Sequence, residues 1–236
     1  MSKTLIIGAG EVGKSLYDVL KTKHEAYIRD TEDFKIDGIE VLNICYPPIK
    51  NFVEQTEKYI NQYKPKLTII HSTVPVGTTR KLGKNCVHSP IHGKHPNLSE
   101  GILTFTKYIG GVNASSVFAA IDFLGKAGIE TMPVSSPETS ELSKIFCTTY
   151  YGWNIVFAKE LEKICEKYNV PFHEVYGWNN HYNTGYDKLG MGQFKRPVLV
   201  PIKGEIGGHC VINNCKLIDS SLTNLILDFN KQYKEI

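Results

Sequence analysis

Apolar and polar positions alternate along the first half of the chain in two registers. Short apolar runs are separated by stretches whose apolar residues recur at helical spacing. Thr4 to Ile7 is such a run, and Val12, Leu16, Val19 and Leu20 behind it fall on one helix face. Glu25 to Arg29 predicts a second strand, and Val41 to Cys45 a buried parallel strand stopped by Pro47-Pro48. Phe52, Tyr59, Ile60 and Tyr63 give residues 49–63 a helical pattern that Pro65 punctuates, and Leu67 to His71 follows as another buried strand. The loop Ser72 to Thr79 feeds a short helix. Cys86 to Ser89, Tyr108 to Gly111 and Ile129 to Val134 predict further strands, with an amphipathic helix at 115–126 carried by Val117, Ala120, Ile121 and Leu124. This alternation predicts an α/β fold, a Rossmann-like doubly wound parallel sheet with helices on both faces, over residues 1–134. The connection Thr31 to Gly38 is too short for a helix and a strand, so one repeat of the ideal order is missing.

The pattern changes at Ser136. Pro137 suits the first turn of a helix, and the helical spacing then continues to about Tyr168, crossing only Gly152. A helix of that length spans roughly 45 Å. Leu142, Ile145, Phe146, Trp153, Val156, Phe157, Leu161, Ile164 and Cys165 put apolar surface on more than one face, which predicts a homodimer packed through residues 137–168. A short helix over 171–182, a glycine-rich aromatic stretch over 183–203 and a last helix over 217–233 complete a mainly helical second domain, 135–236, built on the long helix.

Composition narrows the class. The chain has 236 residues, 42% of them hydrophobic and 22% charged, ordinary values for a soluble globular protein. No apolar run is long enough for a bilayer, no secretory leader is visible, and the six cysteines show no CxxC pairing. These features predict a cytoplasmic protein in a reducing compartment, with no membrane partner. The net charge of +3 comes without a dense Lys/Arg block, which favours a small, anionic substrate and argues against nucleic acid.

The first strand runs into Gly8-Ala9-Gly10-Glu11-Val12-Gly13, a Gly-x-Gly-x-x-Gly opening a helix. Gly8 permits the tight turn, Gly10 lets the backbone approach a pyrophosphate, and Gly13 lets the helix pack on the strand. The helix N-terminus offers free N–H groups to phosphates. Asp30, about twenty residues on, suits ribose hydroxyls and favours NAD over NADP, a preference that Arg29 beside it weakens. The predicted cofactor contacts are therefore Gly8, Gly10, Glu11, Val12, Gly13, Arg29 and Asp30. Tyr46, Pro47, Ser72 and Thr73 join them because they follow the carboxyl ends of strands.

Three segments are expected to converge at the mouth of the sheet: His71 to Gly77, Glu141 to Thr148, and Gly204-Glu205-Ile206-Gly207-Gly208-His209-Cys210-Val211-Ile212-Asn213-Asn214. With these motifs in this order, the sequence resembles the UDP-glucose/GDP-mannose dehydrogenase family over nearly its whole length. The resemblance implies NAD-dependent oxidation of a primary alcohol to an acid, with Cys210 as nucleophile, Lys144 as acid–base or oxyanion residue, and Thr73 orienting water or substrate. Thr148 stands where the family has Asn, and Asn214 where it has a carboxylate. In Ser89-Pro90-Ile91-His92-Gly93-Lys94-His95, Ile91 and His95 stand near the family's two Glu positions, so His95 or His92 is the replacement base. The family's C-terminal nucleotide-sugar-binding domain is expected to be absent.

Plainer readings stand beside these. Cys210 could be a small core residue, Lys144 a helix charge paired with Glu138 or Glu141, and the histidines surface groups. His88, His92, His95, His209 and Cys210 show no metal-ligand spacing, so no metal is expected. Two other functions remain open: a two-electron β-hydroxyacid-type dehydrogenase that needs only Lys144, and an NAD-binding regulatory or partner-dependent protein.

Overall fold

The computed structural model describes residues 1–235 except Asp33, Lys94, His95, Asn97 and His209. The chain forms two compact units, Met1–Lys144 and Ile145–Ile236, and the division falls inside one helix, Pro137–Tyr168.

In the first unit, strand β1 (Lys3–Ile7) leads into α1 (Glu11–Leu20), β2 (Glu25–Arg29) and β3 (Val41–Ile44). Then follow α2 (Phe52–Tyr63), β4 (Leu67–Ile70), α3 (Thr78–Lys81), β5 (Cys86–His88), α4 (Leu98–Thr104), β6 (Lys107–Gly111), α5 (Ala114–Lys126) and β7 (Thr131–Val134). Among the described residues the strands form one sheet in the order β2-β1-β3-β4-β5-β6-β7. β3 pairs directly with β1, so the short connection after Asp30 does omit one repeat. Successive residues of β1 face opposite ways. Ile6 packs with Leu16, Leu20, Val117 and Leu124, whereas Leu5 and Ile7 pack with Phe52, Tyr63 and Val74. Helices therefore cover both faces of a Rossmann-like, mostly parallel sheet.

The expectation of an all-parallel sheet is corrected at β6. β5 and β6 are antiparallel, with His88 opposite Gly110, while β6 and β7 run parallel to each other. The segment between β5 and β6 holds a helix, α4, that the sequence reading missed. Ser99 Oγ of α4 donates to the Ser15 carbonyl at 3.4 Å, so α4 lies against α1. The chain thus stays beside α1 and re-enters the sheet at the end where β5 left it.

The helix Pro137–Tyr168, α6, has the predicted bounds. In the second unit it is joined by α7 (Phe172–Lys188), α8 (Cys210–Cys215) and α9 (Ser221–Gln232) around a core of Val156, Ile206, Val211, Cys215, Ile226 and Tyr233. Gly152 is a packing requirement: a Cβ there would lie 2.7 Å from Val211 Cγ1. α7 runs six residues beyond the predicted end, with Tyr182 and Tyr186 rings 6.0 Å apart along it. α9 starts later than predicted because Ser220 caps it, accepting from the Thr223 N–H at 3.2 Å. Lys159 donates to the carbonyls of Ile202 and Gly204, and the Asn230 side chain accepts from the Ile206 N–H at 2.6 Å. These bonds tether the glycine-rich segment ahead of Cys210. Among the described residues no helix is long and apolar enough to cross a membrane.

Candidate active site

The glycine loop after β1 is built as its sequence requires. Gly8 has φ +104°, and its N–H donates to the Arg29 carbonyl at 2.9 Å. A Cβ on Gly13 would lie 1.8 Å from the Gly8 carbonyl oxygen, so only glycine lets α1 start this close to β1. Around Gly10, the N-cap of α1, a Cβ would meet nothing within 4 Å. The open space at Gly10 and the close approach at Gly13 are the backbone geometry expected where a pyrophosphate meets the start of a helix. Asp30 is exposed at the end of β2 and accepts from the Ala9 N–H at 3.4 Å, which sets its carboxylate at the rim of this turn.

Arg29 goes elsewhere. It is buried, donates to the Tyr63 hydroxyl at 2.8 Å and to the carbonyls of Asp30 and Thr31, and lies 5.4 Å over the Tyr59 ring. Tyr46 is half-buried with its hydroxyl on Thr56 Oγ1, and Pro47 is exposed. The buried Ser72 hydroxyl donates to the Tyr46 carbonyl at 2.6 Å, which ties the loop after β4 to the loop after β3. Thr73 follows it, half-buried.

Two buried histidines fix these loops. His88 donates from Nε2 to the Ser72 carbonyl at 3.1 Å and accepts at Nδ1 from Ser140 at 2.8 Å, a consistent neutral tautomer. Burial holds it neutral, with its pKa down at about 3. His71 lies between the Asn43 side chain and the Ser89 carbonyl, and burial pushes its pKa well below the ordinary value. Glu141, fully buried, accepts from the N–H groups of Gly77 and Thr79 at 2.6 and 2.8 Å and so caps α3; desolvation raises its pKa against those bonds. Glu138 pairs with Arg80, which takes its pKa to about 2. Both carboxylates considered as partners for Lys144 are thus engaged elsewhere.

Lys144, half-buried on α6, donates to the Ile91 carbonyl at 2.8 Å. Lys107, 1% exposed at the start of β6, donates to the carbonyls of Ser89 and Pro90, both at 2.8 Å. Two amines therefore grip three successive carbonyls. Because β6 is antiparallel, its first residue projects past the carboxyl end of β5, the crevice side of the sheet. Burial first, and the nearby Lys144 charge, lower the Lys107 pKa to about 7. His92 beside them is lowered to about 4 by burial and the two lysines, and its Nδ1 has no hydrogen-bond partner. His95 lies outside the described residues. Lys107 escaped the sequence reading because a lysine before Tyr108 and Ile109 looks like a solvated strand end.

In the second unit, Cys210 is exposed and is the first residue of α8, so the segment read as a loop turns helical at the cysteine itself. Asn214, buried on the same helix, donates from its side chain to Thr148 Oγ1 at 3.0 Å, and Thr148 donates to the Ile145 carbonyl. Among the described residues no group of three or more His, Cys, Asp or Glu is arranged to hold a metal ion.

No protein-family model matches the chain. Its sequence is similar to the UDP-N-acetyl-D-mannosamine dehydrogenase of Methanococcus vannielii, 24% identical over 204 residues that cover 78% of this chain and 43% of that protein. Its fold is similar to that of the UDP-D-ManNAc dehydrogenase from Pyrococcus horikoshii, with a TM-score of 0.80 at 17% identity over 98% of this chain and 68% of the other. Both proteins are UDP-sugar dehydrogenases, which agrees with the resemblance in the sequence to the UDP-glucose/GDP-mannose dehydrogenase family. The chain spans 33–54% of the length of the curated relatives it matches. The 3-hydroxyisobutyrate dehydrogenase from Mycobacterium tuberculosis also shares the fold, with a TM-score of 0.73 at 14% identity, over all of this chain and 94% of its own. Against the UDP-glucose/GDP-mannose dehydrogenase pattern, the two departures Thr148 and Asn214 are hydrogen-bonded to each other, a neutral pair.

Proposed function

We propose that the chain is an NAD-dependent dehydrogenase oxidising a CH–OH group of a small anionic, sugar-type substrate. The glycine turn carries this reading, with open space at Gly10, α1 pressed onto the Gly8 carbonyl at Gly13, and Asp30 at the rim. Arg29, the group that would welcome a 2′-phosphate, is held in the core by Tyr63, which favours NAD over NADP. NAD supplies the hydride acceptor. The backbone N–H groups of Glu11, Val12 and Gly13 hold its pyrophosphate, Asp30 its ribose, and Tyr46, Pro47, Ser72 and Thr73 line the crevice.

Lys144 stabilises the oxygen that gains charge as hydride leaves carbon. Cys210 adds its sulfur to the resulting aldehyde, and the carbonyl oxygen takes a proton to give a thiohemiacetal. The thiohemiacetal would give its hydride to a second NAD while its hydroxyl gives up a proton, leaving a thioester, and water would then release the acid and restore the thiol. The exposed position of Cys210 at the head of α8 supports this role. His92 and His95 are the candidate substitutes, from their place in the sequence, for a base at the release step. Scattered free cysteines favour a reducing, cytoplasmic setting, and the long helix favours a homodimer.

One observation favours a second reading. The neutral Asn214–Thr148 pair offers no carboxylate for thioester hydrolysis, as a two-electron β-hydroxyacid-type enzyme would not need one. NADH formation is measured with UDP-sugars and small hydroxy acids for the wild type, Lys144→Ala and Cys210→Ala. The main reading expects two NADH per sugar and losses of about 10²–10³-fold in both variants. One NADH, with Cys210→Ala active and Lys144→Ala dead, selects the two-electron enzyme. NAD binding without turnover selects a regulatory or partner-dependent protein. Full turnover in both variants sinks both enzymatic mechanisms.

A further inference from the structure

We propose that Lys107 is the positioning residue for Lys144: its amine holds the Ser89 and Pro90 carbonyls, and the next peptide thereby presents the Ile91 carbonyl to the Lys144 ammonium. The inference rests on the role given to Lys144 above. Its ground is geometric. Lys107 is 1% exposed, so it cannot meet a substrate, and its two donor contacts at 2.8 Å define where residues 89–91 run. Lys144 reaches the next carbonyl of the same strand of backbone at the same distance. A lysine buried this completely is costly unless its N–H groups are used. A neutral amine has two N–H groups, and two carbonyls receive them, so the clamp persists whether or not Lys107 carries its third proton.

The groups around this amine are Cys45 after β3, His71 after β4, His88 in β5, His92 in the following loop and Lys144 on α6. None is an anion at neutral pH, so among the described residues a charge on Lys107 faces neutral groups and a second cation. Removing Lys107 leaves two carbonyls without their donor, and the backbone at 89–91 moves to find others. The Ile91 carbonyl moves with it, and Lys144 loses the bond that directs its amine to this loop.

The test compares full-length wild type, Lys107→Met and Lys107→Arg, the last restoring donors to the same carbonyls. NAD affinity by calorimetry checks that the glycine loop is intact. The rate at which an amine-reactive acylating probe labels Lys144, read by peptide mass spectrometry, reports whether its amine is still held. Labelling of Lys144 about fivefold faster in Lys107→Met, partly reversed in Lys107→Arg, is the expected result. With a substrate in hand, kcat falls about tenfold while KM stays within about twofold, since positioning acts on the transition state. If Lys107→Met does not bind NAD, the same rates are read on Lys107→Gln, whose amide keeps two N–H groups on a shorter stem. Unchanged Lys144 labelling in Lys107→Met, or in Lys107→Gln where Lys107→Met does not bind NAD, overturns the proposal. Loss of turnover in Lys144→Ala with normal kcat in Lys107→Met overturns the positioning and leaves the catalytic reading standing. A labelling shift in a protein with no turnover does the reverse.

Discussion

Gly13 shows how much one residue can decide. Its missing Cβ is what allows the first turn of α1 to sit on the Gly8 carbonyl, where a methyl group would stand 1.8 Å from oxygen. That contact is backbone against backbone, so no side chain can turn aside to relieve it. Gly13→Ala must push α1 away from β1, which breaks the turn and its packing together. The expected outcome is a loss of about 2 kcal/mol or more in urea unfolding and at least a tenfold loss of NAD affinity by calorimetry. Unchanged affinity in this variant would show that no pyrophosphate sits against this turn. At this scale the sequence was highly legible, because strand, glycines, helix and acid are local. Arg29 was not: its neighbour in sequence is Asp30, but its partner in space is Tyr63, 34 residues on.

At the scale of elements, legibility followed the period of the pattern. α6 was predicted with its bounds because Pro137 opens it and the helical spacing runs unbroken to Tyr168. α4 was missed because it is seven residues long, holds a glycine and follows a loop broken by Gly93 and Pro96. The reversed direction of β6 is a matter of connection, which hydrophobic pattern does not encode. Yet that reversal is what sends Lys107 to the crevice end of the sheet. α6 also carries a seam that its exposure pattern makes visible. Tyr150, Asn154, Phe157, Leu161, Ile164 and Tyr168 follow one another at alternating spacings of four and three, the period of a two-helix seam. Tyr150, Phe157, Ile164 and Tyr168 are 63%, 58%, 52% and 68% exposed. A row of four large apolar side chains left in water points to a second copy, since burying each is worth roughly 1.5–3 kcal/mol. Light scattering should give the mass of a homodimer, and Phe157→Glu with Ile164→Glu should give a monomer. A monomeric wild type would mean that the seam is covered by something other than its own kind.

At the scale of the whole molecule, the buried basic groups of the first unit should set its response to pH. Lys107 is lowered to about 7, His88 to about 3 and His92 to about 4, all chiefly by burial. The sign is the same for each. Where the unfolded chain holds a proton that the folded chain has released, unfolding takes up a proton and stability rises with pH. For the two histidines that window runs from their folded values up to about 6.5, and for Lys107 from about 7 up to about 10.4. Glu138, lowered to about 2 by Arg80, acts in the same direction below the ordinary carboxylate range. Glu141, whose pKa is raised, opposes them: the folded chain keeps its proton above the ordinary value, so that contribution falls as pH rises through its folded value. From about pH 8.5 the lysine window is opposed by Cys45 and Cys86, whose thiols burial pushes up to about 12, so that the unfolded chain releases protons that the folded chain keeps. A shift of this size corresponds to several kcal/mol at most, since one pKa unit is about 1.4 kcal/mol. Urea midpoints followed by circular dichroism should therefore climb from pH 4 to about 6.5 and again from pH 7 to about 8.5, where the thiols begin to oppose the lysine. Lys107→Met should keep the first climb and lose the second. If the variant and the wild type climb in parallel above pH 7, Lys107 is not the group that releases the proton, and the buried amine is charged in the folded protein across that range.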